Sequence, residues 1–146
     1  MILNRERKKK IKRIKQYDLV ITSYDLLKRD IEVYKENKYK FRFAIADEAQ
    51  YLKNSNTQNA KSIKEIKAET RYALTGTPIE NNLLELWSIF DFIMPGYLFD
   101  RETFMVKYYR RFMDNKELSI EFKNLINPFI FILTQATKNV LYFIYE

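Results

Sequence analysis

Two adjacent carboxylates, Asp47 and Glu48, follow an apolar run over 41–46 that is predicted to form a buried strand. Hydrolysis of a phosphate ester needs Mg²⁺ to neutralise phosphate oxygens and a group that activates the attacking water. An acid at the end of a buried strand can hold a magnesium shell, and its neighbour can polarise water. The alternative is structural, with Asp47 capping the next helix and Glu48 an acid in its first turn.

Two further polar clusters follow apolar runs in the same way. The first is TSYD at 22–25, after the run 19–22, and the second is the turn LTGTP at 74–78, after the run 71–75. Ligands of open α/β sheets bind beyond the carboxyl ends of the strands, so we expect the three clusters to converge at one edge. Gly76 is expected to permit a sharp turn there, although LTGTP can also be read as an ordinary turn into a helix.

Helical patterns separate and follow these runs. They are predicted over 24–36, within 56–69, over the apolar segment LLELWSIFDFIM, after the N-cap candidate Asp100, and over 116–127. Strand–helix alternation of this kind indicates an α/β chain with a three-stranded parallel sheet, crossover helices and additional C-terminal helices. Trp87 in the apolar helix is interpreted as a core residue.

Composition excludes several chemistries. The 146 residues contain no cysteine and no histidine, so disulfides, thiolate metal sites and imidazole catalysis are ruled out. Eight basic residues against Glu6 in residues 1–16 give this arm a charge of +7, which equals the net charge of the chain. The arm could contact nucleic-acid phosphates, or it could be the solvated face of a helix with Ile2, Leu3, Ile11 and Ile14 on its inner side. The basic N-terminus is not followed by an apolar core, so it is not a secretory signal.

Four segments carry a resemblance to a known family. The chain resembles the SNF2 family of DNA-dependent ATPases, in helicase superfamily 2, over about residues 5 to 131. The matching segments are DLVITSYDLLKRD, IADEAQYLKNSNTQNAKSIK, RYALTGTPIENNLLELWSIFDFIMPGYL and FMVKYYRRF. The resemblance implies a partial RecA-like (P-loop NTPase) lobe over 1–131 and a divergent tail over 132–146.

The resemblance also implies roles for individual residues. With ATP and Mg²⁺ as cofactors, Asp47 would hold magnesium through water, Glu48 would activate water, and Gln50 would link nucleotide state to a partner lobe. Thr75, Gly76 and Thr77 would form the motif that couples hydrolysis to DNA movement. The positions near double-stranded DNA would be Thr22, Ser23, Tyr24, Lys53 and Asn54. The chain is expected in the cytoplasm, associated with the nucleoid if the source is bacterial, and without membrane contact.

One part of the family's nucleotide site is not found in the sequence. A phosphate-cradling loop needs two glycines five residues apart, whereas Gly76 and Gly96, the two glycines of the chain, are 20 apart. We therefore expect a fragment that needs a P-loop-bearing segment and a second RecA-like lobe, and that is inactive alone. In RecA-like lobes the P-loop strand lies beside the strand ending at Leu74, so this strand is expected to have a bare edge and the chain to self-associate.

Three functions remain open from the sequence. The chain could be one segment of a split SNF2-type ATPase, an ATP-independent DNA-binding remnant, or a non-functional truncated gene product. The tail PFIFILTQATKNV departs from the family pattern, which has paired arginines after Pro128, Phe129 and Ile130. Beyond about residue 132 the resemblance assigns nothing.

Overall fold

The computed structural model describes residues 2–76, 83–110, 116–135 and 138–144. Helices and strands alternate through most of these residues. The helices are α1 (Ile2–Lys12), α2 (Tyr24–Glu36), α3 (Gln58–Lys64), α4 (Leu83–Ile93), α5 (Arg101–Phe104) and α6 (Lys116–Ile126). The strands are β1 (Lys40–Ala46), β2 (Lys67–Thr75), β3 (Ile130–Gln135) and β4 (Lys138–Ile144). Within these residues no helix has the length and apolar character needed to cross a bilayer.

The predicted helices are confirmed, and their caps explain where they begin. Ser23 accepts a hydrogen bond from Leu26 N at the start of α2, and Thr57 accepts one from Ala60 N at the start of α3. Asp100 caps α5 through Thr103 N at 2.9 Å, as predicted. The chain then continues through one π-helical turn, Met105–Tyr109.

The four strands form one sheet in the order β1-β2-β4-β3. The β1–β2 pair is parallel, with Ala46 opposite Ala73, as expected for strands joined by the crossover helix α3. The other pairings are antiparallel, with Leu74 opposite Tyr142 and Thr75 opposite Leu141. The α/β class is therefore confirmed, but the prediction of three parallel strands is not.

The run 19–22 was predicted to be the first parallel strand, and this is wrong. The segment forms no strand, and Leu19, Val20 and Ile21 are 74%, 37% and 86% exposed. A strand needs a hydrogen-bonded neighbour, and the sheet described here ends at β1.

The edge of β2 was predicted to be bare, and this is also wrong. Residues 72–75 pair with residues 141–144 of β4, so the tail supplies hydrogen-bond partners to that edge. The tail is thus part of the sheet. The physical reason given for self-association of the intact chain no longer applies.

The core lies on one face of the sheet. Helix α4 packs against β2, and its Ile89, Phe90 and Phe92 are completely buried. Arg71 of β2 donates to the carbonyl oxygen of Phe92 at 2.9 Å. The opposite face of β1 is open, with Phe43 and Ile45 48% and 61% exposed, although burial on both faces was expected for parallel strands.

Candidate nucleotide-hydrolysis site

The carboxyl ends of β1 and β2 lie side by side and carry the polar residues that the sequence singled out. Asp47 follows the last residue of β1, and Thr75 is the last residue of β2. The parallel register places Ala46 opposite Ala73, which brings the loop 47–52 next to Thr75. Two of the three predicted clusters therefore meet at one edge of the sheet directly after paired strands.

Asp47 presents an exposed carboxylate at this edge. Its Oδ1 accepts a hydrogen bond from the backbone N–H of Glu48 at 2.9 Å. This bond fixes the side chain against the start of the loop. Within the described residues, no three His, Cys, Asp or Glu side chains cluster as they would in a metal site built by protein ligands alone.

Glu48 has a strained backbone. Its φ and ψ are both 51°, in the left-handed region that non-glycine residues seldom adopt. Such a conformation costs on the order of 1–3 kcal/mol and is concentrated at functional sites. Glu48 also stands at the cap position of the short 3₁₀ turn Ala49–Leu52, and its side chain makes no capping hydrogen bond there. The purely structural interpretation of the DEAQ segment is weakened accordingly.

Gln50 joins the two motifs through hydrogen bonds. Its Nε2 donates to Oε2 of Glu48 at 2.5 Å, and its Oε1 accepts from the hydroxyl of Thr75 at 2.9 Å. Thr75 is buried, which keeps its hydroxyl group in place. The arrangement orients the Glu48 carboxylate relative to the end of β2.

The remaining residues of the LTGTP motif give less information. Gly76 is exposed and does not have a positive φ, and a Cβ there would meet no atom within 4 Å among the described residues. The structure therefore gives no steric reason for glycine at this position. Thr77 lies outside the described residues.

The TSYD cluster is brought to the same edge by Tyr24 rather than by a strand. The Tyr24 hydroxyl donates to the carbonyl oxygen of Asp47 at 2.8 Å. Ser23 caps α2, and the Thr22 hydroxyl donates to the Ser23 carbonyl oxygen at 3.4 Å. Burial and the nearby Asp47 and Glu48 carboxylates raise the pKa of the Tyr24 hydroxyl, which therefore stays protonated further into the alkaline range than an exposed tyrosine.

Lys53 and Asn54 have protein partners in the structure. Lys53 forms an ion pair with Glu85 of α4 at 2.9 Å. Asn54 accepts a hydrogen bond from the Asn56 N–H at 3.0 Å, which shapes the turn before α3. Their DNA role remains a prediction.

Sequence reasoning missed three supporting residues. Ser88 donates from its hydroxyl to the carbonyl oxygen of Leu52 at 2.5 Å, Glu85 pairs with Lys53, and Tyr51 contacts the Tyr24 ring. A signal existed for Ser88, since it is a small polar residue inside an otherwise apolar buried helix. No local pattern indicated the other two contacts, because both partners are distant in sequence.

An α/β sheet with paired acids after one parallel strand and a hydroxyl at the end of the next defines a RecA-like class of protein. Within this class, residues 2–142 match the SNF2-related domain. The chain belongs to that family.

Individual relatives and solved structures agree with this assignment. The chain is 46% identical over 91 residues to TATA-binding protein-associated factor MOT1 of Saccharomyces cerevisiae, covering 62% of the chain and 5% of MOT1. It is 37% identical over 121 residues to the "uncharacterized ATP-dependent helicase MG018" of Mycoplasma genitalium, covering 83% of the chain and 11% of that protein. The SWI2/SNF2 ATPase core of Sulfolobus solfataricus in complex with dsDNA superposes with a TM-score of 0.70 at 37% identity, covering 78% of the chain and 24% of that structure.

Proposed function

We propose that this chain is a segment of an SNF2-type ATPase that couples ATP hydrolysis to movement along double-stranded DNA. The observation that carries the proposal is the hydrogen-bonded chain from Glu48 through Gln50 to Thr75. It joins two separate polar motifs at the edge where α/β sheets bind ligands. The strained backbone of Glu48 and the names of the relatives, an ATP-dependent helicase and an ATPase core with dsDNA, support the same assignment.

The residues at this edge suit Mg²⁺ and ATP. Mg²⁺ prefers oxygen ligands and is usually held by one or two carboxylates together with phosphates and water. The exposed Asp47 carboxylate can act as one of these ligands. The bound ion would neutralise charge on the phosphates. Glu48 would then accept a proton from the attacking water, and Gln50 would keep the Glu48 carboxylate turned toward it.

Completion of the nucleotide site is a separate part of the proposal. The glycines of this chain cannot form the phosphate-cradling loop, since Gly76 and Gly96 do not have the required spacing. We infer that a P-loop-bearing segment and a second RecA-like lobe complete the site, and that the chain alone does not hydrolyse ATP. Double-stranded DNA would contact the turn formed by Thr22 and Ser23, with Lys53 and Asn54 nearby.

The decisive experiment measures phosphate release from ATP with and without duplex DNA. The chain is assayed alone and mixed with separately produced segments of an SNF2 ATPase core that carry the P-loop and the second RecA-like lobe. We expect DNA-stimulated release only in the mixture, and Glu48→Gln should lower it by at least about 100-fold because the general base is lost. Glu69→Gln, an exposed carboxylate on β2, is the matched control and should retain activity. Activity of the chain alone would contradict the inferred need for a companion segment, and silence in the mixture would contradict ATPase function.

A second candidate function, ATP-independent binding to DNA, is favoured by α1. Ile11 and Ile14 are buried at one side of this N-terminal region, and Arg7 is tied to Asp30 of α2 at 2.6 Å. The remaining described cations are exposed and form no ion pair among the described residues; they are Lys8, Lys9, Lys10, Lys12, Arg13 and Lys15. An amphipathic helix that binds a bilayer needs a free apolar face, so a cationic face above buried isoleucines suits a phosphate backbone better.

This second function is tested by the salt dependence of duplex DNA binding without nucleotide. A triple change of Lys9, Lys12 and Lys15 to Gln should reduce the slope of log K against log salt by up to about 2.7, or about 0.9 for each phosphate that the variant no longer neutralises. Changing Lys38, Lys40 and Lys67 to Gln removes the same charge at the amino ends of β1 and β2 and is the control. Equal reductions in both variants would indicate a general effect of net charge and not a binding surface on α1.

A further inference from the structure

The turn at 22–24 and the carboxylate loop at 47–52 are physically joined by one side chain. Tyr24 is the first residue of α2, and its hydroxyl donates to the carbonyl oxygen of Asp47 at 2.8 Å. The two residues are 23 positions apart, so the contact depends on the tertiary fold. It connects a candidate DNA contact to a candidate nucleotide contact.

A second contact holds the other end of the same loop. The ring centroids of Tyr24 and Tyr51 are 5.6 Å apart with planes inclined by 42°. Tyr51 in turn donates its backbone N–H to the carbonyl oxygen of Glu48 at 3.0 Å. The Tyr24 side chain therefore touches the loop both before and after the strained Glu48.

The loop is also anchored from the opposite side. Gln50 bonds to Thr75 of β2, and Ser88 of α4 bonds to the carbonyl oxygen of Leu52. These anchors belong to the rigid sheet and to a buried helix. Tyr24 supplies the contact from α2, whose first turn is the part of this helix nearest the predicted DNA contact.

We propose that Tyr24 is a positioning residue that transmits occupancy of the 22–24 turn to the carboxylate loop. The proposal rests on the proposed function, because that function supplies the DNA contact at Thr22 and Ser23. A phosphate bound at the start of α2 fixes the orientation of the helix's first turn, and thereby the position of the Tyr24 hydroxyl. Coupling of this kind requires that the two sites bias the same element, and the Tyr24–Asp47 hydrogen bond is that element.

Hydrogen–deuterium exchange measured by mass spectrometry tests the proposal on the full chain. Wild type, Tyr24→Phe and Tyr51→Phe are compared with and without a duplex of about 30 base pairs. Both variants remove one hydroxyl from the same ring pair and keep the ring. Of the two tyrosine hydroxyls, only that of Tyr24 has a hydrogen bond to the loop among the described residues, so Tyr51→Phe is the matched control.

The expected results separate positioning from coupling. Without DNA, Tyr24→Phe should speed exchange of residues 48–53 by about fivefold, the size expected for loss of one hydrogen bond, and Tyr51→Phe should not. With DNA, wild type and Tyr51→Phe should show slower exchange at both 22–27 and 48–53. Tyr24→Phe should show slower exchange at 22–27 alone.

Two results would overturn the proposal, and they have different meanings. Slower exchange of both segments in Tyr24→Phe, as in wild type, would show that DNA affects the loop without this hydroxyl. That result would contradict the coupling and leave the DNA contact at the turn intact. No change at 22–27 in wild type would contradict DNA contact at this turn, and the coupling with it. The ATPase assay of the mixture is independent of either result.

Discussion

Two apolar runs of this chain have the same design and different structures. Residues 19–22 and 41–46 are each followed by polar residues and then by helical or turn structure. The second run forms β1, whereas the first forms no strand and exposes Leu19 and Ile21. Composition does not explain the difference, since the run that forms no strand is the one without a charged residue, whereas 41–46 contains Arg42.

The difference lies in the neighbours of each run. β1 is paired with β2 along its length, from Lys40 opposite Lys67 to Ala46 opposite Ala73. Segment 19–22 has no partner strand among the described residues. Backbone groups that find no partner in the protein must remain hydrated, so an apolar run without a neighbour stays at the surface. Strand formation is thus decided by the sheet and not by the run itself.

The strongest test of this comparison places a charge in each region. Ala73→Asp puts a carboxylate at a fully buried position of β2 and should lower the free energy of unfolding by at least about 3 kcal/mol. Ile21→Asp places the same group on a residue that is 86% exposed and should change it by less than about 0.5 kcal/mol. Urea unfolding followed by Trp87 fluorescence measures both. Similar decreases in the two variants would mean that 19–22 is buried in solution.

These elements also show what the sequence could predict. Helices α2 and α4 and strands β1 and β2 were predicted because apolar periodicity and N-caps are local signals. The convergence of Asp47 and Thr75 followed from the rule that parallel strands end at one edge.

Contacts between distant residues could not be predicted in the same way. The Tyr24–Asp47 hydrogen bond and the antiparallel pairing of 141–144 with 72–75 both join segments far apart in the chain. The left-handed backbone of Glu48 is imposed by the surrounding fold on a residue type that does not favour it. The resemblance assigned nothing to the chain beyond about residue 132, because the tail departs from the family pattern.

The second prediction concerns the two edges of the sheet. Ending the chain after Phe129 removes β3 and β4, so the backbone groups of β2 that pair with 141–144 lose their partners. An unpaired edge invites pairing with another chain, and we expect dimers or larger species at micromolar concentration. Size exclusion with light scattering measures the mass. A chain ending at Ile144 keeps both strands and is the control, and a monomeric truncated chain would show that β4 does not protect this edge.

The third prediction concerns Tyr24, which links the end of the strandless segment to the loop after β1. Unfolded tyrosine titrates near pH 10, whereas burial and nearby carboxylates raise the pKa of Tyr24 in the folded chain. Above about pH 10 the unfolded chain therefore loses a proton that the folded chain keeps, so the free energy of unfolding falls as pH rises. The slope from one group cannot exceed about 1.4 kcal/mol per pH unit, because the folded and unfolded states differ by at most one proton at that group.

Tyr24→Phe should make this alkaline decline shallower than in wild type. Urea unfolding at several pH values between about 9 and 11.5 gives the two slopes. Other tyrosines and lysines titrate in both proteins, so the difference between the slopes isolates Tyr24. Parallel slopes would contradict a folded environment that keeps the Tyr24 hydroxyl protonated.

The smallest expected effect compares the N-cap residues of the helices that come after the two runs. Ser23 and Thr57 cap α2 and α3 in the same way, each accepting a hydrogen bond from a backbone N–H three residues later. Replacing either by Ala should lower the free energy of unfolding by about 1 kcal/mol. Ser23→Ala should in addition weaken the hold of Tyr24 on the Asp47 carbonyl, since it loosens the first turn of α2, and Thr57→Ala should not. Faster hydrogen exchange at 48–53 in Ser23→Ala alone would confirm that the Ser23 cap of α2 helps to hold the loop after β1. Equal exchange in the two variants would contradict this.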